Sequence, residues 1–310
     1  MHEEELWSAV LQGQAEKVEE IMRLHPAVDV NWKNPNYFMG TPLYASCDVR
    51  ITRRLLLHPR IDLNSMNSLG SSAFLRACSD GRVEVVQLFL HDARLDLDQA
   101  CADNERTGMW KAARWGQIDV VKCIIACGRE FSLEKTGRWL GGVFTAAEIA
   151  LLEGNFKIAA LLQRYKHDPD VTRWEVQVEL RFPRALAAEL FAHVVFVCDD
   201  LLEILPAGEA PPGAGAAAAA VAAVAVTGVS GGGKLYGLEH LELNEARQKA
   251  KRFFEVARRL PMELQMILCH QVYESARQSV TSRMCDLAFR MLARRLLQSR
   301  MPSPPTLLGW

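Results

Sequence analysis

The chain has 310 residues, 49% hydrophobic and 24% charged, and a formal net charge of −1 at pH 7. This balance is ordinary for a globular protein and excludes attraction to nucleic acid or membranes through overall charge. The first residues, MHEEELWSAV, lack the order of a secretory signal, and no apolar run reaches the roughly 18 residues of a membrane helix. Because the eight cysteines are scattered through apolar stretches, we expect free thiols in the cytoplasm, with the nucleus as an additional compartment.

The first half of the chain contains a degenerate internal repeat. GSSAFLRACSDGRVEVVQLFL (70–90) and RTGMWKAARWGQIDVVKCII (106–125) share a small pair, a glycine and a later Val-Val pair in the same order. Segments 5–22, 40–64 and 143–163 keep parts of this pattern. The equivalent first positions, 31 to 38 residues apart, are Glu4, Thr41, Ser72, Thr107 and Thr145. A period of this length is typical of stacked helical repeats.

Each part of the repeat has a physical role in a pair of antiparallel helices. Threonine or serine at the first position predicts an N-cap, and the glycines at 81, 116 and 154 predict left-handed turns between paired helices. The Val-Val and Leu-Leu pairs would fill a core that neighbouring units share. The unequal spacings predict insertions in the connecting loops, including EKTGRWLGG at 134–142.

This pattern resembles the ankyrin repeat. Thr41-Pro42-Leu43-Tyr44 matches the first residues of the family's repeat motif, and the small pairs and glycines match its central residues. RIDLN (60–64) and RLDLD (94–98) stand where that motif ends. The resemblance covers residues 1–168 and implies about five repeats with a concave protein-binding face. The positions it assigns to that face, or to the neighbouring finger loops, include Arg76, Lys111, Arg114, Trp115, Arg138 and Trp139. The alternative is that Trp115 only covers a neighbouring helix and that the arginines are solvated.

Residues 169–205 are expected to form a helical extension. TRWEVQVELRF (172–182) alternates with period two, which indicates a strand, but a single strand is unstable without a partner. We therefore favour a helix there without excluding the strand. Segment 184–205 is apolar nearly all round and predicts a buried helix.

Residues 206–237 are expected to be a flexible, disordered linker rich in alanine, glycine and proline. Gly228 to Lys234 fits the phosphate-loop spacing G-x-x-x-x-G-K, but the next residue is Leu235 where a serine or threonine would bind magnesium. The biased composition accounts for the match, so we predict no nucleotide binding.

Residues 238–300 predict a C-terminal helical region, followed by a tail at 301–310. Apolar side chains spaced three or four apart, among them Leu264, Ile267, Met291 and Leu292, predict a core that packs with helix 184–205. The basic residues of this region are interpreted as a helix face that is solvated or that faces the acidic first half of the chain. LPMELQMIL (260–268) weakly resembles the start of an F-box, which would dock onto a ubiquitin-ligase adaptor. That resemblance implies docking residues at Leu260, Pro261, Glu263 and Leu264.

The sequence thus predicts an all-α protein: an ankyrin-repeat solenoid, then a small helical region interrupted by the linker. Catalytic signatures, metal-ligand clusters and cofactor motifs are absent from the sequence. We expect a non-enzymatic interaction scaffold that binds a protein partner, without a small-molecule substrate, nucleic acid or membrane. The alternative is an F-box-like substrate adaptor of a cullin-type ubiquitin ligase.

Overall fold

The computed structural model describes residues 2–198, 257, 259–260, 262–272 and 285–293. Contacts divide these residues into two compact units, with the boundary between Val176 and Gln177. The described residues are mostly helical, and their one sheet is a two-stranded hairpin. The predicted linker at 206–237 and the tail at 301–310 lie outside the described residues.

The elements of the first unit follow in chain order. They are α1 (His2–Leu11), α2 (Ala15–Leu24), α3 (Pro42–Ala45), α4 (Val49–Leu56), α5 (Ala73–Asp80), α6 (Val83–Leu90), α7 (Gly108–Arg114), α8 (Ile118–Ala126), β1 (Thr136–Trp139), β2 (Gly142–Thr145), α9 (Ala146–Leu152), α10 (Phe156–His167) and α11 (Pro169–Glu179), whose last residues cross the unit boundary.

The odd-numbered helices α3 to α9 begin at the predicted capping positions. The side-chain oxygens of Thr41, Ser72 and Thr107 each accept a hydrogen bond from the backbone N–H three residues later. Thr145 does the same and completes a capping box with Glu148, whose carboxylate accepts from the Thr145 N–H at 2.8 Å. Glu4 does not fit, because it lies inside the first turn of α1 rather than before it.

The turns between paired helices use left-handed glycines, as predicted. Gly81 has φ of 70° and Gly116 has φ of 72°. A Cβ on Gly81 would lie 2.3 Å from the Gln117 side chain, which donates to the Ser79 carbonyl. The next unit repeats this arrangement with Asn155, whose amide donates to the carbonyls before Gly116. Glycine is therefore required both for the turn and for the neighbouring unit's amide to fit against it.

The helix pairs stack in two rows. In one row α1 contacts α3, α3 contacts α5, α5 contacts α7 and α7 contacts α9, while α2, α4, α6, α8 and α10 form the other row. The side chains of Phe74 on α5 and Phe89 on α6, one helix from each row, are fully buried. The rings of Phe74 and Phe89 meet edge to face, with centroids 5.9 Å apart. Since each pair shares its core with its neighbours, the pairs stabilise one another.

Side chains also join the loops of successive pairs. Asn31 donates to the Arg60 carbonyl at 2.7 Å and accepts from the Asp62 N–H at 2.9 Å. Asn64 repeats both bonds one unit later, to the Arg94 carbonyl and the Asp96 N–H. Asp98 continues the series by accepting from a backbone N–H at 132. Positions 31, 64 and 98 end the segments VDVN, IDLN and LDLD, so the sequence repeat encodes a repeated hydrogen bond.

A hairpin occupies the insertion at 134–142. β1 and β2 pair antiparallel with Trp139 opposite Gly142, and Leu140 and Gly141 form the two-residue connection. Both connecting residues have positive φ, 48° and 81°, which matches the turn that suits the twist of a hairpin. This hairpin is an exception to the all-α prediction.

Segment 172–182 is helical through Glu179, as we favoured. Helix α11 begins at Pro169, and the Asp168 carboxylate before it accepts from the Val171 N–H at 3.2 Å. This cap followed by proline is a helix start signal that outweighs the strand-like alternation. The side chains of Trp174 and Val176 on this helix are buried.

The second unit contains three described helical segments. They are α12 (Pro183–Cys198), α13 (Met262–Val272) and α14 (285–293). As predicted, α12 packs against α13, and Phe191 of α12 meets Phe289 of α14 edge to face at 6.0 Å.

The core prediction for this region is confirmed in part. Met291 and Leu292 are buried, but Leu264 and Ile267 are about half exposed, so their assignment to the core is wrong. The buried positions of α13 include Gln265 and Cys269, four residues apart. The Gln265 amide can be buried because it donates to the Leu260 carbonyl at 2.8 Å.

Asn64→Ala removes both hydrogen bonds that join two successive loops. We expect it to lower the free energy of unfolding by about 1 to 2 kcal/mol, because a carbonyl and an N–H lose their partner. Urea unfolding followed by circular dichroism measures the change. Asn36→Ala is the control, since the Asn36 side chain is exposed and makes no hydrogen bond to any described residue; it should cost less than about 0.5 kcal/mol. Equal effects of the two substitutions would contradict the role of the loop bridge.

Candidate functional site

Alternating arginine and tryptophan side chains bring together α7, its preceding loop and the hairpin. The Arg114 guanidinium carbon lies 4.6 Å from the Trp115 ring centroid and 3.5 Å from that of Trp139. Arg106 then lies 5.1 Å from the Trp139 centroid and 4.9 Å from that of Trp110. We call these five residues the tryptophan–arginine stack. Each contact places a cation within the range of a cation–π attraction.

Backbone partners fix the inner end of the tryptophan–arginine stack. Trp110 is buried, and its indole N–H donates to the Phe144 carbonyl of β2 at 2.8 Å. Arg106 donates through Nε to the Arg138 carbonyl of β1 at 2.9 Å. Burial lowers the pKa of Arg106 and nearby Arg114 lowers it further, but an arginine stays charged at neutral pH. Trp110 therefore anchors the hairpin to α7, and Arg106 anchors it to the loop before α7.

Arg114 is a packed residue, whereas Trp115 is open to solvent. The Arg114 side chain is 15% exposed and lies 3.3 Å from the Glu153 carboxylate, in addition to its two aromatic contacts. Trp115, at the end of α7, is 57% exposed. The alternative in which Trp115 only covers a neighbouring helix does not fit this exposure. The alternative in which the arginines are solvated does not fit Arg114.

Arg138 differs from the other arginines in its environment. Its side chain is 63% exposed and reaches Glu105, itself mostly exposed, at 3.5 Å. Such an ion pair contributes little to stability because water screens it. Trp139 is half-buried between Arg114 and Arg106. Arg138 is thus available at the surface, while Trp139 mainly positions its neighbours.

Beside Trp115 lies a cavity of about 420 Å³ that joins α5 and α7. The other lining residues are Tyr44, Ser71, Arg76, Ser79, Asp80 and Lys111. Two predicted residues, Arg76 and Lys111, therefore share one cavity wall with Trp115.

Arg76 has its donors engaged within the chain. It donates to the Tyr44 carbonyl at 2.9 Å, lies over the Tyr44 ring at 4.9 Å, and its Nε is 3.6 Å from the Asp80 carboxylate. Asp80 is also held by Arg82 at 2.5 Å. These contacts leave Arg76 as part of the cavity wall rather than a mobile cation.

Lys111 is the cation of the cavity without a carboxylate in ion-pair contact, although the more distant charge of Asp80 attracts it. Its ammonium donates to the Ser71 hydroxyl at 3.2 Å, and no ion pair joins it to a carboxylate among the described residues. Burial lowers its pKa from the ordinary 10.5. The neighbouring Cys78 thiol is fully buried, and burial raises its pKa well above the usual range, so it stays protonated at neutral pH.

Sequence reasoning missed several partners of these residues. Arg106 and Ser71 stand directly before the capping residues Thr107 and Ser72, so the repeat alignment could have placed them on the fingers. Glu153 could not have been paired with Arg114, because their contact depends on how α7 and α9 pack.

The F-box-like residues lie on and before α13. Leu260 is partly buried, while Leu264 is 46% and Ile267 51% exposed. Pro261 and the side chain of Glu263 lie outside the described residues. Among the predicted docking residues that the structure describes, Leu264 is thus the one whose apolar side chain is exposed.

No protein-family model matches the chain, and the search of curated proteins finds no match. In the part of the chain that the structure describes, no group of three histidine, cysteine or acidic side chains could hold a metal ion. None of the described helices combines the length and the hydropathy that crossing a bilayer requires.

Arg114→Ala should destabilise the first unit, because it leaves Glu153 unpaired and removes the cation between two indole rings. We expect a loss of about 2 kcal/mol, measured by urea unfolding. The control Arg138→Ala removes an exposed arginine from the neighbouring hairpin and should cost less than about 0.5 kcal/mol. A loss for Arg138→Ala as large as for Arg114→Ala would show that the stack has no special role.

Proposed function

We propose that residues 1–168 are an ankyrin-repeat array and that the chain is a non-enzymatic scaffold binding a protein partner. The proposed binding surface is the groove formed by the first helices of the pairs and their finger loops. We assign the protein to the cytoplasm, and also to the nucleus. The observation that carries the proposal is the exposed Trp115 ring, held by the tryptophan–arginine stack beside the Lys111 cavity.

The repeated local structure supports the array. Four units start at threonine or serine caps, successive pairs turn at left-handed glycines, and loop residues bridge to the next unit. Each of these features recurs at the spacing of the sequence repeat. A stack in which neighbouring pairs bury a shared core is the architecture that ankyrin repeats have.

The surface chemistry supports protein binding. Tryptophan and arginine are the residues most enriched where binding energy concentrates in protein interfaces. Leu140 at the hairpin tip is 84% exposed and has φ of 48°, a conformation that costs free energy for a leucine. Leu140 therefore adds an apolar surface at the tip of the hairpin that carries Trp139.

Affinity capture with the full chain from its native cells tests the proposed function. Trp115→Ala should lose the captured partner while the melting temperature falls by no more than about 3 degrees, because the ring is mostly exposed and its cation–π contact is with Arg114. Phe156→Ala is the matched control: it removes an aromatic ring that is 68% exposed on α10, in the other row of helices. Retention of the partner by Trp115→Ala, or its loss with both variants, would contradict binding at this groove.

The exposure of Leu264 and Ile267 favours a second candidate function, the F-box-like adaptor. Apolar side chains exposed on one face of a helix are what docking onto another protein requires. Leu264→Ala with Ile267→Ala should then abolish recovery of a cullin-ligase adaptor in the same capture, while Trp115→Ala leaves that recovery unchanged. Absence of any cullin-ligase component from the wild-type capture would exclude this candidate.

A further inference from the structure

We propose that the Lys111 cavity binds one carboxylate, the side chain of an aspartate or glutamate in an extended segment of the partner protein. This inference rests on the proposed function, because it names the chemistry that the groove would recognise. The site is built from Lys111 as the cation, Ser71 as the hydroxyl beside it and Trp115 as the exposed aromatic wall.

The Lys111 ammonium has no ion-pair partner among the described residues. A partly buried cation is costly unless a countercharge compensates it, and its hydrogen bond to Ser71 supplies no charge. The lowered pKa of Lys111 reflects that cost. A carboxylate entering the cavity would give Lys111 an ion-pair partner in direct contact and would accept a charge-assisted hydrogen bond from the ammonium.

The charge of the lining selects the kind of anion. Arg76 and Asp80 are both on the wall and bind each other, so Lys111 supplies the net positive charge of the lining residues. A carboxylate with one negative charge balances it. A phosphate group with nearly two charges would leave excess negative charge next to Asp80.

The other two residues of the site, Ser71 and Trp115, predict which kind of residue neighbours the acidic residue in the partner's sequence. Because Ser71 accepts its hydrogen bond from Lys111, its own hydroxyl proton is free to be donated to a carboxylate oxygen. The exposed Trp115 ring offers an apolar surface at the same cavity. We therefore expect the partner's acidic residue to have a large apolar neighbour in its sequence.

Selection of peptides from a random phage-displayed library against the full-length chain tests the proposal. Recovered peptides should share one aspartate or glutamate next to an apolar residue. For a synthetic copy of the best binder, Lys111→Met and a glutamate-to-glutamine change in the peptide should each weaken binding at least tenfold. The two changes together should weaken it no more than either alone, because each removes the same contact.

Two further variants keep the result interpretable. Lys111→Gln repeats the charge removal if Lys111→Met proves unstable. Lys157→Ala removes an exposed cation of α10, in the other row of helices and outside the cavity lining, and should leave the affinity unchanged. Additive losses for the protein and peptide changes would overturn the proposal, since the two groups would not then touch.

Other outcomes separate this inference from the proposed function. Peptides that need Trp115 but carry no shared acidic residue would overturn the carboxylate site and leave protein binding at the groove intact. A peptide with phosphoserine at the acidic position that binds tenfold tighter would replace the carboxylate by a phosphate. Failure to select any peptide that distinguishes wild type from Trp115→Ala would count against both the groove and the cavity.

Discussion

The first unit depends on hydrogen bonds that the side chains of Asn31, Asn64 and Asp98 accept from backbone N–H groups of the following loops. Each bond joins one helix pair to the next at the same place, so it fixes the separation of successive pairs as well as their register. The amides of Gln117 and Asn155 repeat this function at the helix turns.

The geometry of the candidate site depends on the fixed separation of successive helix pairs. Trp139 stands on a hairpin between the pairs α7–α8 and α9–α10, and its ring can meet both Arg114 and Arg106 only if the hairpin is held against α7. Arg114 in turn reaches Glu153 on the next pair. Rigid groups thus surround an exposed ring, an arrangement that reduces the entropy lost when a partner binds.

The sequence predicts the first unit well because its signals are local. Caps at Thr107 and Thr145 and the turn at Gly81 follow from residue type and spacing. The helix at 172–182 was ambiguous because its apolar alternation competed with the signal of Asp168 followed by Pro169. The exposed positions of Leu264 and Ile267 were predicted wrongly, since spacing alone cannot tell which face of a helix meets its neighbour.

The sequence predicts which residues belong to the candidate site, but it does not predict the contacts that each of them makes. Residue type and repeat position selected Lys111, Arg114, Trp115 and Trp139, and the structure brings all four to one region. Their different environments depend on contacts between units that no single repeat contains. For that reason Arg114 is packed, Trp115 is exposed and Lys111 has no ion-pair partner among the described residues.

Backbone amide exchange of the full chain tests the stacking of these units most directly. Asp62 and Asp96 are exposed residues whose N–H groups donate to the side chain of the preceding loop. Both amides should exchange slowly, at rates near those of the helices around them, and Asn64→Ala should release Asp96 while Asp62 stays protected. Exchange of both amides in the wild-type chain at the rate of an unstructured peptide would contradict the account.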